Sequence, residues 1–164
     1  MPIEIRRATE DDWHVVRDIR LAALQQAPFA FGSTYQRERD FDEGTWRSRL
    51  RNPDGPTFLA FDDETPIGID GIFTTENGDR HLVAMWVDPT ARRQGVGVVL
   101  AQAVIGWARG VGAPRLLLGV AEDNAPAIAL YESLAFKFSG KREPLRSNPN
   151  HSVLEMSLEL AEQV

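Results

Sequence analysis

The chain has 164 residues, of which 43% are hydrophobic and 26% are charged, and its formal net charge is −6 at neutral pH. This composition is ordinary for a globular protein, and the length suits a single domain over residues 1–164. The lack of cysteine excludes disulfides, thiolate metal sites and a cysteine nucleophile. We expect no bound metal.

The acidic charge balance disfavours broad nucleic-acid binding, which depends on neutralising phosphates, and mildly favours a cationic partner such as an amine. No apolar run approaches the ~20 residues that a membrane span requires. The first residues lead into a polar segment and lack the pattern of a signal peptide. We therefore expect a cytoplasmic protein that binds neither nucleic acid nor a membrane.

The N-terminal part predicts one strand followed by helices. Residues 3–7 alternate between apolar and polar, as a half-buried strand does. Thr9 is a good helix cap, and apolar residues from Trp13 to Leu24 recur after it at helical spacing until Pro28 ends the pattern. Two further helices are expected over residues 34–39 and 43–50.

The rest of the chain predicts strands separated by turns and two more helices. Asn77-Gly78 lies between two apolar runs and favours a hairpin. A central helix is expected over about residues 95–110, and another from Asn124 to near Leu134. The predicted strands cover residues 57–61, 67–75, 80–87, 115–120, 136–143 and 153–160.

This order of elements predicts the fold class. Consecutive strands favour antiparallel pairing, whereas helical crossovers favour parallel pairing for at least one neighbour. We therefore expect an α+β (mixed α/β) fold with a mixed, mostly antiparallel, six- to seven-stranded sheet. Helices are expected on both faces of that sheet.

The loop before the central helix contains Arg92-Arg93-Gln94-Gly95-Val96-Gly97. Glycines let a backbone approach a ligand closely, and the start of a helix favours negative charge, so this loop suits an anion. It lacks the lysine of a Walker loop, and Leu100 stands where a dinucleotide fingerprint has its third glycine. A turn that merely starts a helix also fits these residues.

A second motif follows downstream, Asn124-Ala125-Pro126-Ala127-Ile128-Ala129-Leu130-Tyr131-Glu132. Together with VDPTARRQGVG at residues 87–97, it resembles the GNAT superfamily of acyl-CoA-dependent N-acetyltransferases. The resemblance is dense from about residue 82 to residue 136 and is limited elsewhere to the order of strands. It implies a single N-acetyltransferase domain that uses acetyl-CoA as co-substrate and no metal.

The resemblance also implies which residues hold acetyl-CoA. The loop would bind the pyrophosphate, mostly through backbone N–H groups, and the preceding strand would offer free backbone groups to the pantetheine arm. The acetyl-CoA-binding residues implied on the strand are Met85, Trp86 and Val87. The acetyl-CoA-binding residues implied on the loop are Arg92, Arg93, Gln94, Gly95, Val96, Gly97 and Val98. The family's asparagine at the position of Asn124 usually touches the pantetheine, although Asn124 is also a preferred helix cap.

Two residues of the second motif bear on chemistry and strain. Tyr131 matches the tyrosine that usually lies near the thioester sulfur and commonly protonates the leaving thiolate, so it is also an implied acetyl-CoA-binding residue. A core aromatic is the alternative. Ala135 stands where the family usually has glycine. If that position has a positive φ, alanine costs about 1 kcal/mol.

An ammonium must lose a proton before it attacks a thioester, so a base or a water relay is required. His81 matches a position where some family members carry a glutamate or histidine base, and imidazole titrates at about 6.5. A surface histidine at a strand end is the alternative. Gly119 stands where ribosomal-protein N-terminal acetyltransferases have a glutamate, which argues against their proton route.

No motif identifies the acceptor. In this family the acceptor pocket is formed by segments that match about residues 28–39 and 142–151 here. The aromatic residues that either line a slot for an amine or belong to the core are Phe29, Phe31 and Tyr35. The arginines that either meet a substrate carboxylate or stay solvated are Arg37, Arg39, Arg142 and Arg146. The remaining candidate pocket groups are Glu38, Glu76 and Glu122.

These observations predict direct transfer of acetyl from acetyl-CoA to a primary amine of a small molecule or amino acid derivative in a ternary complex. One alternative is an acetyltransferase that acts on a protein N-terminus or lysine. The others are a non-catalytic acyl-CoA-binding regulatory module and an interaction protein in which the loop is only structural. The resemblance also implies a possible homodimer.

Overall fold

The computed structural model describes residues 3–28, 31, 33–145 and 148–160. The strands are β1 (Ile3–Arg7), β2 (Thr57–Asp62), β3 (Thr65–Thr74), β4 (Arg80–Val87), β5 (Arg115–Ala121), β6 (Lys137–Leu145) and β7 (Asn148–Glu159). The helices are α1 (Trp13–Gln26), α2 (Tyr35–Glu38), α3 (Glu43–Leu50), α4 (Val96–Gly110) and α5 (Ala125–Ser133). The predicted helices and strands are therefore all present.

The seven strands form one sheet in the order β1-β2-β3-β4-β5-β7-β6. Strands β4 and β5 pair in parallel, and every other neighbouring pair is antiparallel. This confirms the predicted mixed, mostly antiparallel sheet. The main differences are at boundaries: a short 3-10 turn (Glu10–Asp12) precedes α1, and β7 begins at Asn148, five residues before the predicted start.

Helices cover both faces of the sheet, as predicted. On one face, Leu24 of α1 packs with Leu59 and Trp86 in an apolar cluster. On the other face, Val104 of α4 packs with Leu82 and other buried strand residues. Burial of apolar surface on both sides stabilises the sheet and leaves its centre inaccessible except where strands separate.

The sheet opens between β4 and β5. Only three residue pairs join these strands, and the last joins Leu82 to Leu118, whereas β4 continues to Val87. From Val83 onward, the backbone of β4 therefore has no partner on its β5 side among the described residues. Such a gap can accept an extended ligand as if it were another strand.

A bulge lies at the start of this gap. Ile69 pairs with Trp86 but Gly71 pairs with Val83, so two residues of β4 lie opposite Asp70 alone. One of them, Ala84, has a φ of +59°. A bulge of this kind bends the strand and breaks regular pairing.

No helix in the described part of the chain is long and apolar enough to cross a membrane. Within the same residues, no group of three histidine, aspartate or glutamate side chains is placed to hold a metal ion.

Candidate active site

A cleft of about 640 Å³ opens where β4 and β5 separate. Strand β4 contributes Ala84 and Met85 to its walls, and α5 contributes Asn124 and Tyr131. Its charged lining residues are Arg20, Arg37, Glu38 and Arg49. The cleft therefore joins a largely apolar channel to a charged end, which suits a reaction between two substrates.

The predicted anion loop leads into α4. Gly95 has a φ of +82° and Arg93 a φ of +66°, so the chain turns sharply before the helix. The first backbone hydrogen bond of α4 joins the N–H of Val99 to the carbonyl of Gly95 at 3.2 Å. The N–H groups of Val96, Gly97 and Val98 precede that bond, and the first helical turn carries no acidic residue. This is the arrangement in which a helix start attracts phosphate.

Two side chains beside this loop have structural roles. Arg92 donates through Nε to the carbonyl of Val87 and through Nη2 to Oε1 of Gln26, both at 2.9 Å. The indole Nε1 of Trp86 donates to the same Gln26 oxygen at 2.9 Å. These bonds fasten the end of β4 to the end of α1, so only the backbone of Trp86 remains for a ligand.

Asn124 and Tyr131 both lie at the cleft. The Asn124 side chain accepts a hydrogen bond from the N–H of Ala127 at 3.2 Å, so it caps α5 as predicted, and it lines the cleft as well. Tyr131 is buried, packs edge-on against Phe136 and also lines the cleft. Burial, together with the charge of Asp70, raises the pKa of Tyr131.

His81 lies apart from the main cleft. It lines a separate cavity of about 80 Å³ with Lys141 and Glu155. Gly119 and Val153 line both cavities and so form the wall between them. Burial lowers the pKa of His81, although Asp79 and Glu155 oppose that shift, so the imidazole is neutral and able to accept a proton at neutral pH.

Gly119 is enclosed. A Cβ added to it would lie 2.7 Å from Cγ1 of Val153, which is closer than real Cβ contacts. A glutamate at this position would therefore require Val153 or the strand to move. The packing of β5 against β7 therefore leaves no room for a glutamate base at position 119.

An arginine–glutamate cluster forms the charged end of the cleft. Glu38 of α2 is 1% exposed, and it accepts hydrogen bonds at 3.0 Å from Nε and Nη2 of Arg20 in α1. Nη1 of Arg49 in α3 donates to the same carboxylate at 3.3 Å. Burial would raise the pKa of Glu38, but hydrogen bonds from Arg20 and Ser33 and the nearby positive charges hold it at about 2.

The cluster carries more positive than negative charge. Nη1 of Arg20 is buried and has no hydrogen-bond partner among the described residues. Arg37 lines the same end and donates from Nη1 to the hydroxyl of Ser33 at 3.2 Å. Arg20 and Arg49 did not feature in the sequence prediction. The signal was available for Arg20, because it lies four residues after Val16 and four before Leu24, the spacing of the buried face of α1.

Sequence reasoning also missed Asp70. This residue of β3 is 0% exposed, and neither of its carboxylate oxygens has a hydrogen-bond partner among the described residues. Burial raises its pKa well above the ordinary value. The sequence signal was an acidic residue inside an otherwise apolar strand.

Other predicted acceptor residues are distributed differently. Phe31 is buried and lines the cleft, with the Arg20 guanidinium 5.0 Å from its ring centroid. Arg39 pairs with Asp40, and Arg142 pairs with Glu122. The predicted acceptor residues that do not line the main cleft are Tyr35, Arg39, Glu76, Glu122 and Arg142. Of the predicted donor residues, Trp86, Val87 and residues 92–98 also lie outside its lining, whereas Met85 and Asn124 belong to it. Two predicted residues, Phe29 and Arg146, lie outside the described residues.

Proteins of known family are similar to this chain in sequence and in fold. The sequence profile of the Acetyltransferase (GNAT) family matches residues 13–136. The peptidyl-lysine N-acetyltransferase YjaB of Escherichia coli strain K12 is 28% identical over 144 residues, which are 87% of this chain and 88% of that protein. The mycothiol acetyltransferase of Rhodococcus erythropolis is 33% identical over 138 residues, which are 79% of this chain and 44% of that protein.

A solved structure has the same architecture. The Salmonella typhimurium protein yncA, solved with its cofactor acetyl-CoA, matches with a TM-score of 0.79 at 20% identity. The match covers 100% of this chain and 97% of that chain. The family profile spans α1 to α5, the segment that contains the anion loop and all of the lining residues of the cleft except Leu145 and Val153. The chain belongs to the GNAT family of acetyltransferases.

Proposed function

We propose that this protein transfers an acetyl group from acetyl-CoA to the primary amine of a small molecule or amino acid derivative that also carries an anionic group. The observation that carries the proposal is the lining of the cleft, in which three arginines accompany one carboxylate. The chain has no cysteine to carry the acetyl group, which supports direct transfer within a ternary complex.

Acetyl-CoA, the donor of this family, supplies a reactive thioester, and the start of α4 and the edge of β4 each fit it in one respect. A Cβ added to Gly97 would lie 3.1 Å from Cδ2 of Leu130, so glycine keeps the approach to the helix start open. The β4 edge that β5 leaves unpaired can hydrogen-bond to the amides of the pantetheine arm. The residues we assign to donor binding are Met85, Trp86, Val87, Arg92, Arg93, Gln94, Gly95, Val96, Gly97, Val98 and Asn124.

The chemistry requires two proton transfers. The amine attacks the thioester carbonyl, so an N–C bond forms and the C–S bond breaks. We assign to Tyr131 the proton that the departing sulfur takes up, because its side chain lines the cleft. We assign to His81 the proton that the amine releases, and since His81 lies in the neighbouring cavity, that proton travels through water.

The charge at the acceptor end supports an anionic acceptor. Arg20, Arg37 and Arg49 outnumber Glu38 among the described lining residues, so the formal charge of this end is +2. A carboxylate or phosphate on the acceptor would be attracted there, while an acceptor with only ammonium groups would be repelled. This local charge is opposite to the overall charge of −6 and outweighs it at short range.

A second candidate function is acetylation of a lysine or N-terminus on a protein. The 28% identity to a peptidyl-lysine N-acetyltransferase supports it. The two candidates differ in the charge of their acceptors, because a lysine side chain offers only positive charge to the arginine-lined end. An acceptor series that varies charge alone therefore separates them.

The test is a thiol-release assay with matched acceptors. Each pair consists of an amino acid and the amine that lacks its carboxylate, for example phenylalanine and phenethylamine, and a lysine-containing peptide is added as a third class. We expect at least one carboxylate-bearing acceptor to be preferred over its partner by roughly tenfold, the effect of about 1.4 kcal/mol. In the Arg37→Gln, Arg49→Gln variant, that preference shrinks.

Equal rates within every pair, or turnover with the peptide alone, would contradict the anionic acceptor. A non-catalytic acyl-CoA-binding module would bind CoA but release no thiol with any acceptor. An interaction protein with a purely structural loop would not bind CoA. A homodimer and a cytoplasmic location stay predictions, and light scattering tests the first.

A further inference from the structure

Asp70 is a buried carboxyl group without a structural explanation. Its side chain is 0% exposed, and both of its oxygens lack a hydrogen-bond partner among the described residues. Burying a charged group without a partner costs several kcal/mol, and native structures contain few such groups. Groups of this kind concentrate where function requires them.

The side chain of Asp70 faces the α4 side of the sheet. Side chains alternate along a strand, and a Cβ added to Gly68, two residues earlier, would lie 2.9 Å from Cδ1 of Leu100 in α4. Ile72, two residues later, belongs to the apolar cluster that includes Ala101 of α4 and Tyr131 of α5. Asp70 therefore lies on the face of the sheet to which Tyr131 also belongs.

Asp70 is also a lining residue of a second cavity of about 430 Å³ beside α1 and α3, whose charged members besides Asp70 are Arg20 and Arg49. On the α4 face of the sheet, the surroundings of Asp70 contain little charge. Phe58 is its cross-strand partner on β2, and the bulge at Ala84 and Met85 lies opposite it on β4. The residues of α4 that pack toward β3 are apolar, including Leu100, and burial alone accounts for the raised pKa of Asp70. From α5, the titratable group that senses Asp70 is Tyr131.

We propose that Asp70 is a positioning residue for Tyr131. While the carboxyl of Asp70 is uncharged, the phenol of Tyr131 can release its proton, and once that carboxyl is ionised the phenol keeps its proton. The proposal rests on the role given to Tyr131 in the proposed function. When the sulfur takes the proton, the O–H bond breaks, an S–H bond forms and negative charge develops on the phenolic oxygen. An ionised Asp70 opposes that charge in a low-dielectric site, whereas an uncharged Asp70 does not. Water in the cleft then returns a proton to Tyr131.

The direct test is titration of Tyr131 itself. The chain has two tyrosines, so Tyr35→Phe leaves Tyr131 as the sole tyrosine, and its ionisation is followed by ultraviolet absorbance. We expect Asp70→Asn in this background to move the tyrosinate midpoint down by about one pH unit, the effect of removing one nearby charge. Asp63→Asn, in an exposed turn, removes an equal charge and is expected to leave the midpoint unchanged. Asp70→Ser replaces Asp70→Asn if the latter does not fold.

A midpoint that is the same with and without Asp70, or that moves equally in Asp63→Asn, overturns the proposal. If the phenol of the parent protein ionises only as the protein unfolds, the proposal requires the Asp70 variant to ionise while circular dichroism still shows folded protein. Ionisation coincident with unfolding in both overturns it.

A second readout comes from the enzyme. Rising pH ionises Asp70, so we expect wild-type turnover to fall as that carboxyl ionises and the fall to move to higher pH in Asp70→Asn. A fall at the same pH in both proteins contradicts the proposal. The tyrosine titration needs no turnover, so absence of acetyltransferase activity would count against the proposed function and not against the coupling of these two residues.

Discussion

Tyr131 and His81 line different cavities, and the wall between them is formed by Gly119 and Val153. A pair of proton-transferring groups separated in this way can serve one reaction only if water connects them. The low pKa of His81 matters here, because a neutral imidazole is the form that accepts a proton. The acid and base assignments therefore make separate predictions.

Replacing His81 by alanine is expected to lower kcat/KM at least ~10-fold at neutral pH, since a general base contributes at least that much. Burial lowers the pKa of His81, so wild-type activity should persist to a lower pH than for an ordinary histidine and fall once the imidazole is protonated. The measurement is kcat/KM against pH. His14→Ala, at an exposed position of α1, is the matched control. A variant that keeps the wild-type profile would remove His81 from the mechanism.

Ala135 occupies a conformation that favours glycine. Its φ is +75°, and the N–H of Phe136 closes the end of α5 by donating to the carbonyl of Tyr131 at 3.0 Å. The sequence predicted strain at this position if its φ is positive, and the φ of Ala135 is positive.

Ala135→Gly should raise the free energy of unfolding by about 1 kcal/mol, because glycine adopts a positive φ without a Cβ clash. Urea denaturation of the folded variants measures this change. Ala103→Gly, in the middle of α4, is the control and should lower stability by about 1 kcal/mol. A loss of stability in both variants would contradict the strain at Ala135.

At the scale of elements, the acceptor end depends on three helices that meet around one carboxylate. Glu38 of α2 binds Arg20 of α1 and Arg49 of α3, so it fixes two of the three arginines that line the cleft. Sequence patterns do not contain this arrangement, because the partners are far apart in the chain and each helix was predicted from its own periodicity. The structure thus gives α2 a role larger than its single turn suggests.

Glu38→Gln should lower the free energy of unfolding by about 3 kcal/mol at pH 7, the usual effect of breaking a buried ion pair. Because the folded-state pKa of about 2 lies below the ordinary value of 4.5, the stabilisation is complete above 4.5 and is lost as pH falls toward 2. Urea unfolding at pH 7 and pH 3 tests both statements.

The difference between wild type and Glu38→Gln should therefore be smaller at pH 3 than at pH 7. The control is Glu43→Gln, which removes a 54% exposed partner of Arg47 and should change stability by less than about 1 kcal/mol. A Glu38 effect as small as the Glu43 effect would show that the cluster does not hold α2 in place.

At the scale of the whole molecule, local signals predicted local structure well. The Asn77-Gly78 turn joins β3 to β4, and Gly95 has the positive φ that its place before α4 requires. The order of elements was sufficient for the mixed sheet and its helices on both faces. These features depend on neighbouring residues and on periodicity, which a sequence displays directly.

The site was predictable only where a motif marks it. Asn124 and Tyr131 line the cleft and the loop lies at the start of α4, and both positions follow from the family motifs. Arg20 and Arg49 reach the cleft, and Asp70 reaches its buried position on β3, through pairing and packing between distant segments. His81 was placed by its register on β4, and register along one strand does not reveal which cavity a side chain enters. The net charge of −6 did not predict that the acceptor end of the cleft is positively charged.

The central claim is that the start of α4 and the gap beside β4 hold acetyl-CoA. The most direct measurement is isothermal titration of wild type and the Gly95→Glu, Gly97→Glu variant with acetyl-CoA and CoA. Gly106→Glu adds one negative charge to α4 at an exposed site with open space around it and serves as the control. We predict micromolar binding by wild type and the control, about −8 kcal/mol, and its loss in the double variant. Absence of binding by folded wild-type protein, or equal binding by the double variant, would contradict the account.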